Sequence, residues 1–351
     1  VMTRAVDNGS FLRRRADLPV MVLSQDYELF FGQSGTIEKC LFEPTDRLAA
    51  WAKDRKIPIT FYVDAGMLVA MEREAKREAA LAKDLSRVKS HVESLAQQGH
   101  EIGLHIHPHW EDTGRVGGAW DFAGTRYKLD NFEDDEVADI VARYTGVLNG
   151  LCDGEVSSYR AGGFCIEPFE RLGPHLLKAG IDTDSSIVPG LAIEDPEKGV
   201  RFGASLSRPW WYFSESPVQP EKRGTFVEVP ITPQVLPFLH YWGRAVDRVL
   251  GRQPPTVSGD GSSKRIGRRE ILRRLAGRGR TSELSSDAAK AAQLETGHVS
   301  NQKRDVWHVM GHPKLLGDRS FTALEKFIDR TEIGHFATVA DVATAVRAQH
   351  P

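Results

Sequence analysis

Cysteine is scarce in this chain. Three of its 351 residues are cysteine, Cys40, Cys152 and Cys165. They are odd in number and too widely spaced for a disulfide framework or a CxxC zinc site, which fits a reducing compartment. Long apolar runs are missing as well, none approaching the roughly 18 residues a membrane-spanning helix needs. Thr3, Arg4, Asp7, Asn8 and Arg13 to Arg15 interrupt anything like a hydrophobic targeting segment at the start, so a cytoplasmic protein with no transmembrane segment is expected. A dominant charge is absent too: the formal net charge of -2 gives no overall push toward nucleic acid or membrane. No GxGxxG follows the first β-type run, which weighs against a dinucleotide-binding fold.

What is present suffices for a large core. Hydrophobic residues make up 40% of the chain, and long single-domain barrels fall in this size range. β-type runs are read at Val20 to Asp26, Pro58 to Asp64, Ile102 to His107, Ser157 to Phe164, Asp182 to Ile187, Phe226 to Ile231, Asp305 to Met310 and His335 to Val339. Helical segments are read between them, at Thr45 to Lys56, Glu72 to Gln98, Asp134 to Leu148, Pro168 to Ala179 and Thr322 to Thr331. Such alternation argues for parallel strands with crossover helices. The expectation is an α/β fold, a distorted (β/α) barrel of seven or eight strands covering residues 18–235 and 305–348, after an N-terminal extension of residues 1–17.

Residues 236–304 break the pattern, with no clear strand and a Gly/Ser/Pro-rich piece from Gln253 to Ser263. Between Tyr241 and Arg280 there are eleven Lys or Arg against three acids, a net of +8, so the rest of the chain carries about -10. The stretch Lys264-Arg265-Ile266-Gly267-Arg268-Arg269 could meet an anionic surface or an acidic substrate. Charge runs of this kind are more often solvated helices or mobile loops. An insertion this long beside an active face also reads as partly disordered or lid-like.

The most chemically specific segment is His105-Ile106-His107-Pro108-His109. A strand through His107 sends His105 and His107 to one face, and Pro108 ends the strand and lets His109 turn back to the same mouth. Burying three imidazoles without partners is costly, whereas zinc and similar borderline metals bind them readily. In Leu23-Ser24-Gln25-Asp26-Tyr27-Glu28 the same period-two geometry lets Asp26 and Glu28 share a face, where a carboxylate completes a His/His/carboxylate set with a position left for water. A capped turn is the plainer reading of Asp26. Asp64, Arg160, Asp184 and His312 also fall at strand ends, on the face where barrel enzymes assemble their sites.

Five segments then occur in a telling order: Ser24 to Glu28, Gly99-His100-Glu101-Ile102-Gly103-Leu104-His105 through His109, Tyr159-Arg160-Ala161-Gly162, Asp182-Thr183-Asp184-Ser185-Ser186, and Gly311-His312-Pro313. Together they resemble the motifs of the polysaccharide deacetylases, the NodB-homology family, over residues 18–345 apart from the insertion. The resemblance implies a metal-dependent hydrolase that removes N-acetyl groups from an amino sugar or polysaccharide precursor, with a role in polysaccharide biosynthesis. It implies His105 and His109 as metal ligands, Asp26 as general base, Arg160 as the group orienting that base, and His312 as general acid with Asp184 as its partner. Tyr27 stands where many members have a second aspartate, so Glu28 becomes the third ligand, and the division of labour between Asp26 and Glu28 stays open.

The implied cofactor is a divalent metal, zinc first, with cobalt, nickel or manganese also compatible. His107 has no fixed role in the family: it contacts substrate, replaces a ligand or packs. Asp64 and Trp110 join it as substrate-binding candidates. The implied partner is a carbohydrate or N-acylated sugar, with no specific nucleic acid. Trp110, Trp120, Trp210, Trp211, Tyr212 and Trp242 are read in loops, where rings stack on sugars or cover the core, and His308 reads as packing. Competing readings are a hydrolase of another N-acyl or amide bond and a degenerate, non-catalytic glycan-binding member. Metal-dependent amidohydrolase barrels fit less well, since they carry His-x-His on the first strand and here the pair is on the third.

Overall fold

In the computed structural model the described residues are 18–152, 154–195, 198–236, 255–263, 280–295 and 304–349, with Trp242, Val246 and Leu250. The expected extension of residues 1–17 and most of the basic insertion, Lys264 to Arg269 included, lie outside them.

The strands in chain order are β1 (Val20–Tyr27), β2 (Thr60–Asp64), β3 (Glu101–Ile106), β4 (Gly114–Val116), β5 (Ala119–Asp121), β6 (Ser158–Ala161), β7 (Thr183–Asp184), β8 (Ala192–Ile193), β9 (Val200–Arg201), β10 (Trp211–Phe213), β11 (Phe226–Glu228), β12 (Pro233–Leu236), β13 (Arg280–Glu283), β14 (Val306–Val309) and β15 (His335–Ala337). Nine of them form the main sheet in the order β10-β11-β7-β6-β3-β2-β1-β14, with β15 beside β1. All its pairings are parallel except that of β10 with β11, so the eight strands expected from the sequence are present and parallel. Strand β1 is the hub. Val20 to Leu23 pair with β14, Val20 to Val22 also pair with β15, and Ser24 to Tyr27 pair with β2.

Helices α1 (Glu43–Arg55), α2 (Ala65–Ala75), α3 (Ala79–Gln97), α4 (Asp134–Asn149), α5 (Gly173–Lys178), α6 (Asp318–Thr331) and α7 (Val339–Gln349) accompany the strands. The helix expected over Glu72 to Gln98 is two helices, α2 and α3, with a turn between Ala75 and Ala79. Helix α4 starts where three acids, Asp134, Asp135 and Glu136, meet the positive end of the helix dipole. The Glu136 carboxylate also accepts from the Glu133 backbone N–H.

Alternation along the strands divides the interior in two. Met21, Leu23 and Tyr27 of β1, Phe61 and Val63 of β2, Ile102, Leu104 and Ile106 of β3, and Trp307 and Val309 of β14 face the helices in one large core. The intervening residues point into the barrel. There Val20, Val22, Val227, Val229 and Val306 form a second apolar cluster with Val339, Val342, Ala343 and Val346 of α7, so α7 packs across the N-terminal ends of the strands. Further along the same strands these inward positions turn polar: Ser24 and Asp26, Asp64, His105, Arg160 and His308. Apolar filling at one end and polar side chains at the other make one mouth the chemical end of the barrel.

The sheet closes through a segment the sequence placed in the insertion. Thr232 N–H donates to His308 O (3.1 Å), Leu284 N–H to Thr232 O (2.7 Å), Met310 N–H to Leu284 O (3.0 Å) and Ser286 N–H to Met310 O (2.8 Å). Residues 280–295 therefore contribute to the barrel wall through Leu284 to Ser286, and where no clear strand was expected in 236–304, β13 pairs antiparallel with β12. Gly311 is needed at this seam, since a Cβ there would lie 2.0 Å from Ser286 Oγ.

Candidate functional site

Strand β3 carries His105 and leaves His107 just beyond its end, two residues apart and so on the same face. Strand β1 delivers Asp26, and Glu28 follows one residue past it. Among the described residues, Glu28, His105 and His107 form a buried group whose ligand atoms lie within 4.8 Å of one another. His105 Nδ1 lies 2.8 Å from the Arg160 carbonyl oxygen. A proton on Nδ1 donates there, leaving the Nε2 lone pair facing Glu28 and Asp26. Glu28 Oε2 stands 2.8 Å from His107 Nε2 and 3.4 Å from His105 Nε2, yet it has no well-aligned hydrogen bond. A buried carboxylate oxygen facing two imidazole nitrogens in this way is a donor set suited to a cation such as zinc.

The charge states of Glu28 and His107 agree with that reading. Burial alone would raise the Glu28 carboxyl, but Lys314, His107 and His105 hold it well below the usual carboxylate range. His107 is pushed down to about 4 by burial, against the pull of Glu28, so its imidazole is neutral. For His105 the direction is upward: burial would lower it, but the nearby charges of Asp26, Glu28 and Asp64 outweigh burial.

Asp26 sits against this group with its two oxygens differently engaged. Arg160 Nη1 donates to Oδ1 at 2.7 Å. Oδ2 lies 3.8 Å from His105 Nε2 and 3.9 Å from His312 Nε2. Arg160 is fully buried and also donates to Ser24 Oγ (2.9 Å), Ser185 O (2.9 Å) and Ser185 Oγ (3.1 Å), with its guanidinium 4.1 Å from the centre of the Tyr62 ring. Ser24 Oγ in turn is 2.8 Å from His308 Nε2. His308 is thus a buried partner in the network that holds Arg160, more than packing.

Several expectations need correction. His109 falls outside the group whose ligand atoms lie within 4.8 Å of one another: Pro108 opens a 3-10 turn, Pro108–Glu111, which sets the His109 ring against Trp110 and Tyr127, 5.2 Å from the ring of His107. His107 completes the group with His105 and Glu28 instead. Asp184 does not face His312. It accepts from Ser186 N–H (3.1 Å) and Ser186 Oγ–H (2.7 Å) beside Glu228. Burial pushes both carboxyls upward, and the charge of Asp184 raises Glu228 further.

The partner of His312 is Asp287, from the wall segment 280–295. Its Oδ2 lies 3.1 Å from His312 Nδ1, and its Oδ1 accepts from the His312 backbone N–H at 2.9 Å. Asp64 and Trp110 are fully buried and bonded to each other, indole Nε1 donating to Asp64 Oδ2 at 2.5 Å. Burial lifts the Asp64 carboxyl to about 7. Both are therefore closed to solvent, and Asp64, the register partner of His105, ties Trp110 to the histidine segment. Trp120, Trp211 and Tyr212 are buried too, leaving Trp242 as the exposed tryptophan of that set, 49% accessible.

Sequence reasoning also missed Lys314, whose buried ammonium donates to Glu28 Oε1 at 2.8 Å. It missed Phe31 and Tyr127 as well, whose rings stand 4.4 and 6.3 Å from that of His107. Gly162 is a residue the geometry demands, since a Cβ there would lie 2.6 Å from His107 Nδ1 and Ile106 O.

The His312–Asp287 pair sets a pH dependence. Burial would lower His312, but the charge and hydrogen bond of Asp287, then Asp26 and Glu28, lift it to about 9 from the usual 6.5. A raised folded value means that its stabilisation is complete below pH 6.5 and lost as pH rises through about 9. Asp287 is burdened by burial yet depressed by His312, so its share is present above the ordinary Asp range and lost as pH falls below it. In metal-free protein the His312 imidazole resonances should titrate near pH 9, and Asp287→Asn should bring the midpoint down by at least about one unit. An unchanged midpoint would remove Asp287 from the pairing.

No protein-family model matches this chain, and no curated protein matches it in sequence. Among solved structures it is similar to a Mycobacterium smegmatis protein assigned as a polysaccharide deacetylase, at 17% identity and a TM-score of 0.44 over 87% of this chain and 77% of the other. It is similar as well to a family 4 acetyl xylan esterase from Clostridium thermocellum in complex with cobalt (12%, TM-score 0.39, 95% and 93%). A third is a carbohydrate esterase family 4 pseudoenzyme from Bacillus anthracis (10%, TM-score 0.37, 91% and 64%). Likeness at this level decides nothing about chemistry, which the residues of this chain must carry.

Proposed function

We propose that the chain is a metal-dependent hydrolase that removes N-acetyl groups from an amino sugar or polysaccharide precursor. The observation that carries this reading is the convergence, at one mouth of the barrel, of the Glu28-His105-His107 group with two charge pairs, Asp26–Arg160 and His312–Asp287. Glu28, His105 and His107 would hold the metal, and two nitrogens with one carboxylate oxygen suit zinc. When bound, a divalent metal supplies Lewis acidity, polarising an acyl carbonyl and making water a nucleophile near neutral pH.

The chain's own groups handle the protons. Arg160 fixes Asp26 Oδ1, so Oδ2 is the oxygen left to accept a proton from the attacking water. Asp287 holds His312 Nδ1, which keeps the ring protonated and turns Nε2 toward the site, where it protonates the departing amine. Positioned acids and bases of this kind each contribute about 10² to 10⁴-fold.

The test is acetate release from a panel of N-acetylated sugars and oligosaccharides, using wild type and His105→Ala, each with added zinc or cobalt and with chelator. Release that needs both metal and His105 is expected. Release indifferent to chelator, or stoichiometric metal with no release from any substrate, would overturn the reading.

A further inference from the structure

Lys314 is the one lysine or arginine paired with Glu28 among the described residues, and nothing in the catalytic assignment above uses it. It lies on the loop after β14, two residues past His312, with its side chain 5% exposed. Its ammonium donates to Glu28 Oε1 (2.8 Å) and to the Leu29 carbonyl (2.6 Å), and lies 4.9 and 5.0 Å from the ring centres of Phe30 and Phe31. The backbone beneath it is held by a described piece of the insertion. Gly259 N–H donates to Lys314 O at 3.0 Å, and a Cβ on Gly259 would lie 2.6 Å from that oxygen. Burying a lysine costs several kcal/mol unless it is paired, and here one oxygen of Glu28 and the Leu29 carbonyl pair the ammonium.

That choice of oxygen has a chemical result. Oε1 is engaged by Lys314, while Oε2 is the oxygen that faces His105 and His107 and lacks an aligned partner. We propose that Lys314 is a positioning residue that keeps Glu28 a one-oxygen ligand and so preserves an open coordination position for water; this rests on the metal-centre reading given above. A carboxylate free to turn would offer both oxygens, adding a donor to the centre and crowding the position left for water. Groups that hydrogen-bond a metal ligand in this way typically change affinity or activity by about 10 to 100-fold when removed.

Cobalt serves as the probe, because four-coordinate cobalt(II) absorbs visible light far more strongly than five- or six-coordinate cobalt(II). Full-length wild type, Lys314→Met and Lys314→Arg are titrated with cobalt and their visible spectra recorded, with circular dichroism as the check on folding. Wild type is expected to bind one cobalt with an intense four-coordinate spectrum. Lys314→Met is expected to retain cobalt with a weaker band of higher coordination number, and Lys314→Arg, which keeps a cation, to recover the wild-type band. A merely structural lysine would change melting and leave the spectrum alone. An unaltered spectrum in Lys314→Met overturns the proposal, and so does a six-coordinate spectrum in wild type, which needs no variant to fold. Failure of wild type to bind cobalt at all overturns the metal-centre reading instead.

Discussion

His107→Ala is expected to empty the metal centre and lower acetate release by at least about 10³-fold, while His109→Ala keeps stoichiometric metal and loses less than about tenfold. The first magnitude follows from what the proposed ligand set would support: without a metal, water is a far weaker acid and the carbonyl lacks its Lewis acid, and the loss of even one oxyanion donor typically costs about 10² to 10³-fold. The contrast follows from position. His107 Nε2 is 2.8 Å from Glu28 Oε2, whereas the His109 ring lies beside those of Trp110 and Tyr127. Metal content by elemental analysis and acetate release, measured on both variants, decide the matter. Metal lost from His109→Ala and kept by His107→Ala would restore the four-residue ligand spacing that the motif resemblance implies.

Arg160→Leu should destabilise the fold by about 3–5 kcal/mol, the usual cost of removing one partner from a buried ion pair and stranding the other charge. The pair has no access to solvent that could replace the lost cation: Arg160 is 0% and Asp26 5% exposed. Ser24, Ser185 and His308, all within 3.2 Å of the guanidinium, would lose a donor as well. Denaturant unfolding of Arg160→Leu, Asp26→Asn and the double variant tests the assignment. The double variant is expected to be more stable than the sum of the two losses predicts, because an uncharged amide in place of the Asp26 carboxylate no longer needs the cation. Strict additivity would mean that the two side chains do not act as a pair.

Much of the frame was legible because alternation is a local signal. The eight parallel strands lie where period-two hydrophobicity and strand-to-helix alternation placed them, and the same period correctly paired His105 with His107 and Asp26 with Glu28. Local signals failed where the chain had to be followed through space. Pro108 marks the end of a strand in any reading, but whether the next residues return to the mouth or coil into a 3-10 turn depends on Trp110 burying itself against Asp64. Asp287 sits in Ser285-Ser286-Asp287, with no periodicity and a basic stretch before it, so nothing local distinguishes it from loop. Its role exists only because Leu284 and Ser286 bond to Met310, at the end of β14, across the seam. Lys314 is similar: a lysine after Gly311-His312-Pro313 reads as solvated, and only Glu28 to Phe31, following the adjacent strand β1, make it buried.

The seam between β12 and β13 also governs what the chain can tolerate over time. Leu236 and Arg280 are register partners, so the chain leaves the wall and re-enters it at one place. A segment whose ends are already neighbours can lengthen at a closure cost of only about 0.6 kcal/mol per doubling, without displacing a single strand. The barrel frame is therefore insulated from changes of length there, while Gly259, which donates to Lys314 O, gives the same segment a hold on Glu28 through the Lys314 ammonium. Variation in it is a route by which descendants of this sequence could retune the centre while leaving its architecture intact.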